Sequence, residues 1–176
     1  MTRIVSGVMG LDLGNKRTIL KELRDRAVAG DDEPVPVIQR SWYQEALTEP
    51  DPLRCLQLHA RNIVRMHTRY AELAEVLRVG AAVEPELREL WQLGHDQRRI
   101  GAAIMVDALL SKTALKPGLD RDAAIDQLWV LTGSDLYRGL IGVCGWTVER
   151  FERWLGDTFC DQLLGHRRRD STTGPV

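Results

Sequence analysis

The stretch GHDQRRIG, Gly94 to Gly101, sets a histidine, an aspartate, a glutamine and two arginines inside a segment that is otherwise helical and apolar. Burying His95, Gln97, Arg98 or Arg99 without partners costs several kcal/mol for the charged groups, so any that face inward must meet a partner, water or a ligand. The chemistry on offer is polar recognition. Gly94 and Gly101 flank the stretch and leave space beside the helix. The competing reading sends Arg98 and Arg99 to solvent, as charge runs usually go, with the glycines serving close helix packing. Residue types alone leave both open.

His59 and His67 stand eight residues apart with no acid in HExxH order. His67 falls on an apolar stripe, between Ile63 and Tyr70, where a histidine is more often a satisfied core residue than a ligand. Cys55, Cys144 and Cys160 form no CxxC pair, and there is no Gly-rich phosphate loop or GxSxG elbow. Ser111, Ser134 and Thr147 read as helix ends. The expectation is a protein that is not an enzyme, with no catalytic residue, no metal and no cofactor.

The elements that must position these residues are helices, and no segment alternates with period two, so the fold class is all-α. Asn15 caps a helix from Lys16 to about Ala29, closed by Gly30. A joint, GDDEPVP, follows. A short helix covers Ile38 to Thr48. Asp51 caps the next, with Pro52 at its first position, and Leu53, Leu56, Ala60, Ile63, His67, Tyr70, Ala74 and Leu77 mark its apolar stripe, with a bend at Arg69-Tyr70 and a break at Gly80. Pro85 opens a long helix to Ser111 whose shared face is Leu87, Leu90, Gly94, Gln97, Gly101, Ile104 and Ala108. Asp120 caps another helix, Ser134 a short one, and Thr147 the last, where Trp146 and Phe151 are placed as a hydrophobic staple.

The chain has 176 residues, a formal net charge of -1, and 44% hydrophobic against 28% charged residues. That suits one globular domain and gives no global attraction to nucleic acid or an anionic membrane. Three unpaired cysteines and no apolar run of membrane-spanning length lead to an expected cytoplasmic location without membrane contact.

The last third, GLDRDAAIDQLWVLTGSDLYRGLIGVCGWTVERFERWLGDTF, resembles the C-terminal helices of TetR-family transcriptional regulators. The likeness is carried by Leu128, Trp129, Leu131 and Thr132, then Tyr137, then Gly145 and Trp146, then Phe151, Trp154 and Leu155. GNKRTILKELRDRAVAGDDEPVP resembles the helix that joins the DNA-binding headpiece of that family to its effector domain. In the family, two further helices and a recognition helix of a helix-turn-helix precede the Gly-x-Lys corner. Only thirteen residues precede Gly14, too few for them. Gly10 and Leu13 stand where an aromatic pair is usual, and two glycines weaken IVSGVMGLDL as a helix by about 1 kcal/mol each.

The resemblance implies a headpiece truncated or degenerate, whether lost, left upstream of an assigned start, or cut short. Residues 1–30 are then its remnant and the connecting helix, 31–165 an effector-binding and dimerisation domain, and 166–176 a disordered tail. Lys16 is the one matching phosphate contact, so operator DNA is a partner only where the native headpiece is complete. The resemblance places the helix of His67 beside the long helix, implying a pocket of His59, Ile63, Met66, His67, Trp91, Gly94, Gln97 and Arg98 for a small, largely apolar effector. It further implies a homodimer through Leu128, Trp129, Phe151, Trp154, Leu155, Thr158 and Phe159, on a face with more apolar surface than one helix needs to anchor itself. The other function class is a stand-alone small-molecule-binding or adaptor module acting through a protein partner.

Overall fold

Helix follows helix through residues 13–166, the part described by the computed structural model, with side chains described from Arg17 onward. The elements are α1 (Leu13–Ala29), α2 (Ser41–Thr48), α3 (Pro52–Val83), α4 (Pro85–Leu110), α5 (Arg121–Leu131), α6 (Ser134–Tyr137) and α7 (Val148–Leu164). A 3-10 turn, Val37–Gln39, leads into α2, and a π-helical turn, Arg138–Val143, extends α6. No strand occurs among the described residues, and the fold is all-α. Residues 1–12 of the expected headpiece remnant and 167–176 of the expected tail lie outside the described residues.

α3 is the axis of the molecule, packed against α7, α4, α1, α2 and α6. Asp51 Oδ1 accepts the backbone N–H groups of Leu53 at 2.8 Å and Arg54 at 3.1 Å, and Pro52 takes the first position, where its missing N–H is no loss. The expected bend at Arg69-Tyr70 and break at Gly80 do not occur, and the helix runs 32 residues unbroken. Gly80 serves a close approach instead: a Cβ there would stand 2.4 Å from Leu87 Cδ1. The chain reverses four residues later, where Pro85 forces Glu84 into an extended conformation (φ -113°, ψ 116°).

Around α3 the interior divides in two. The larger cluster includes Cys55, Leu56, Ala60, Met105, Leu109, Leu128, Phe151, Leu155 and Phe159, all at most 1% exposed. Each large side chain in it stabilises the fold by about 1.5–3 kcal/mol through burial. A second, small cluster of Leu77, Leu87 and Leu90, with Leu20, Tyr70, Leu73 and Trp91 at its edge, fills the junction of α1, α3 and α4.

The C-terminal helices start and stop on local signals. Asp120 accepts the N–H of Ala123 at 2.8 Å to begin α5. Gly133, rather than the expected Ser134, precedes α6; Ser134 is its first helical residue and is buried. After α6 the N–H of Cys144 reaches the carbonyl of Gly139 at 3.0 Å, one residue further than an α-helix would. Gly145 then turns the corner at φ +67°. Thr147 Oγ1 accepts from Arg150 N at 3.2 Å and starts α7. The link from Trp146 to Phe151 runs through Trp154, edge-on to Trp146 at 5.9 Å and tilted against Phe151 at 5.8 Å.

Candidate ligand site where α1 meets α3 and α4

The inward stripe of α4 runs Leu87, Trp91, Gly94, Arg98, Ala102, Met105 and Leu109, a clean three-four spacing. The expected face was set one position off in its lower half: Gln97, Ile104 and Ala108 are at most half-buried, while Ala102, Met105, Val106 and Leu109 are in the core. The correction puts a guanidinium on the stripe. Arg98 and Arg99 part ways, since Arg99 lies outside in an ion pair with Asp126.

Arg98 lies with its Cζ 4.9 Å from the centre of the Trp129 ring, and its Nη2 donates to His95 Nδ1 at 3.3 Å. Its Nε is buried and has no acceptor on the described chain. His95 stands between two indoles, edge-on to Trp91 at 4.6 Å and tilted to Trp129 at 5.6 Å, and its carbonyl accepts the Trp129 Nε1–H at 3.4 Å. Burial, with Arg98 adding to it, lowers the His95 pKa; burial likewise lowers that of Arg98.

From the other side α1 inserts Arg24, 5% exposed. Its Nη2 donates to Gln97 Oε1 and lies 3.3 Å from Asp25 Oδ1, while its Nη1 is buried without an acceptor. Tyr70 lies within electrostatic reach of both arginines. Burial raises its pKa, and the charges of both Arg24 and Arg98 work against that rise. Gly94 faces the same hydroxyl: a Cβ on it would stand 4.0 Å from Tyr70 Oη.

His67 borders this group. Its Nε2–H donates to the Thr132 carbonyl at 3.0 Å, which leaves Nδ1 as a bare, buried acceptor without a donor. Burial, aided by Arg98, pushes its pKa down to about 4. Its ring tilts on Tyr137 at 5.5 Å. His59 lies two helical turns away, about 12 Å at the α-helical rise. It is wedged between Tyr43 (6.5 Å) and Phe159 (5.6 Å), with neither ring nitrogen bonded and a pKa pushed by burial to about 4.

No family model, curated protein or solved structure matches this chain.

Of the expected pocket, then, His67, Trp91, Gly94, Gln97 and Arg98 come together at the junction. His59 and Ile63 are buried in the larger cluster, and Met66 packs against its edge. Arg24, Tyr70, His95 and Trp129 complete the group. Arg24 had a signal in sequence: it sits one turn after Leu20, on the side of α1 that meets the body. A separate surface groove of about 380 Å³ opens between α2, α3 and α7, bordered by Trp42, Arg61, Arg65, Thr68, Val148 and Glu152, and takes none of the expected pocket residues.

The expected dimer residues divide as well. Leu128, Phe151, Leu155 and Phe159 are at most 1% exposed because, within the chain, α3 lies along α7 while α4 and α7 pack on α5. Trp129 lies under Arg98, and Trp154 and Thr158 stay half-buried at the surface of α7. Lys16 is within α1, and its side chain lies outside the described residues. Among the described residues no group of three or more His, Cys, Asp or Glu gathers to hold a metal, and no helix is long and apolar enough to cross a membrane.

Proposed function

We propose that the chain is the effector-sensing and dimerising part of a TetR-like transcriptional regulator, binding a small ligand with an apolar body where α1 meets α3 and α4. The observation that supports this best is Arg98 on the inward stripe of α4 with a buried, unbonded N–H, among Trp91, Trp129 and Tyr70. Native folds satisfy such groups, and an arginine kept there is better explained by a ligand than by stability. The resemblance of the C-terminal third supports the family, and the helix order is consistent with α1 as the connecting helix. A ligand that prefers one setting of α1 changes, by that preference, the affinity of a complete headpiece for operator DNA.

The second copy meets the outer side of α7 at Trp154 and Thr158. Native mass spectrometry of protein purified from its own cells tests both halves of the reading. A mass of two 19.9 kDa chains with a retained small molecule supports it. A single chain across the micromolar range, with nothing bound, overturns it.

The adaptor reading has one observation of its own. Ile19 and Leu23 lie one turn apart on α1 and are 44% and 47% exposed, an apolar strip that the other described residues leave uncovered. A gel-shift titration separates the two: specific operator binding at nanomolar concentration sustains the regulator, and its absence together with capture of a protein through α1 sustains the adaptor.

A further inference from the structure

We propose that the groove between α2, α3 and α7 is a binding site in its own right, separate from the junction of α1, α3 and α4. Its ligand is a small zwitterion of the α-amino-acid class with an apolar side chain.

The groove is one space of about 380 Å³, a volume that small-molecule sites commonly have. Four charged side chains line it: Arg61 and Arg65 from α3, Glu45 from α2 and Glu152 from α7. None of the four is in an ion pair among the described residues, although both signs border the same opening. The charges around it are engaged elsewhere. Arg69 holds the carbonyls of Ala27 and Val28, Arg150 lies over the Trp146 ring at 4.0 Å, and Thr147 holds the Glu149 carboxylate. Two positive and two negative groups leave the groove neutral, so it selects neither a phosphate nor a metal cation. A molecule with one charge of each sign answers both halves of the lining.

The charges are also sorted by helix. Arg61 and Arg65 lie one turn apart on α3 and repel each other, and a carboxylate placed there takes a donor from each. Glu45 and Glu152 come from the two other helices and accept from an ammonium. Trp42 and Val148, both half-buried, supply apolar surface for the side chain. Arg65 Cζ is 5.9 Å from the centre of the Trp42 ring, at the outer limit of a cation–π contact, so that pairing gives way easily to a carboxylate.

The walls are fixed in advance. Asn62, 6% exposed, donates its Nδ2–H to the Trp42 carbonyl at 2.8 Å and ties α2 to α3. Buried Tyr43 meets the Trp42 ring edge-on at 5.9 Å. Val148 and Glu152 lie one turn apart at the capped start of α7. A ligand therefore has little backbone to order on entry.

The test is calorimetric titration of the full chain at neutral pH with two amino acids, each beside the analogues that lack one of its charges. L-leucine is compared with isocaproate and isoamylamine, and L-phenylalanine with hydrocinnamate and phenethylamine. At least one amino acid is expected to bind with a Kd below about 1 mM and at least about tenfold more tightly than both of its analogues. Weaker binding by both amino acids, or a smaller preference, overturns the inference. Arg61→Gln/Arg65→Gln is expected to lose at least about tenfold in affinity, and Glu45→Gln/Glu152→Gln to bring the amino acid and its acid analogue within about threefold. Failure of either change removes the groove as the site. The four side chains are unpaired and open to solvent, so both variants should melt within about 2 °C of the parent chain, which separates lost binding from lost fold. Arg98→Gln, at the junction, should leave the titration unchanged; a loss there instead moves the binding away from the groove and overturns the inference.

Discussion

The two interior clusters obey different rules. Around Phe151, Leu155 and Phe159 the core is large, apolar and closed, built where α7 lies along α3. At the other end three leucines, Leu77, Leu87 and Leu90, meet Tyr70 and Trp91, and His95 links Trp91 to Trp129, which packs against the first cluster. The first region holds the molecule together and admits a single unbonded ring, His59; the second carries unbonded groups on two arginines, Arg24 and Arg98. The proposed recognition site thus lies where stability can be given up.

The sharpest way to test that division is to remove one large side chain from each region. Phe159→Ala is expected to cost about 3–5 kcal/mol in urea unfolding, and Leu90→Ala about 2, since the smaller cluster can collapse around the loss. Equal losses would erase the distinction.

Acid pH probes the same contrast. His59 and His67 are held neutral, with pKa values near 4 against 6.5 for the unfolded chain. The unfolded chain therefore binds more protons between those values, so this contribution to stability is complete above about pH 6.5 and is lost as the pH falls toward 4. The loss is on the order of 3 kcal/mol per histidine by pH 4. The melting temperature should drop from pH 7 to pH 5. His59→Phe, which suits the aromatic slot between Tyr43 and Phe159, should flatten the drop by half and leave the share of His67; an unchanged pH profile would place the sensitivity elsewhere.

Smaller effects follow at the edges. Thr147→Ala removes the cap that starts α7 and should cost about 1 kcal/mol by thermal unfolding. Arg121→Ala breaks a two-pronged pair with Asp107 at 2.7 and 2.8 Å, but both partners are about half-exposed, so the loss should stay below about 1 kcal/mol and shrink in salt.

Much of the framework was readable before the structure. Asp51, Pro52, Pro85, Asp120 and Thr147 announce helix starts through chemistry confined to a few neighbouring residues, and each does so in the folded chain. Gly80 misled because the reason for a glycine there is Leu87, on another helix. The lower face of α4 misled because α2, α3 and α5 together choose which side of it is inside, and apolar residues occur on both. The site was half legible. GHDQRRIG flagged Arg98 and Gln97, while Arg24, Tyr70 and Trp129 lie on three other helices and reach the junction only through tertiary packing. His59 shares the stripe of His67 in sequence, yet two turns of helix carry it into a different region.

The way Arg69 finishes α1 sets how that helix can move. Its Nε and Nη2 donate to the carbonyls of Ala27 at 2.9 Å and Val28 at 3.2 Å, and Gly30 turns away at φ +97° directly beneath the guanidinium. Further along, Leu20 packs in the small cluster and Arg17 pairs with Glu89 of α4 at 3.1 Å, so the clamp at Arg69 is the firmer of two attachments. α1 has 17 residues, about 25 Å of rod, so a tilt of about 10° at the clamp swings the opposite tip through about 4 Å. A swing of that size would have to break the pair of Arg17 with Glu89 first.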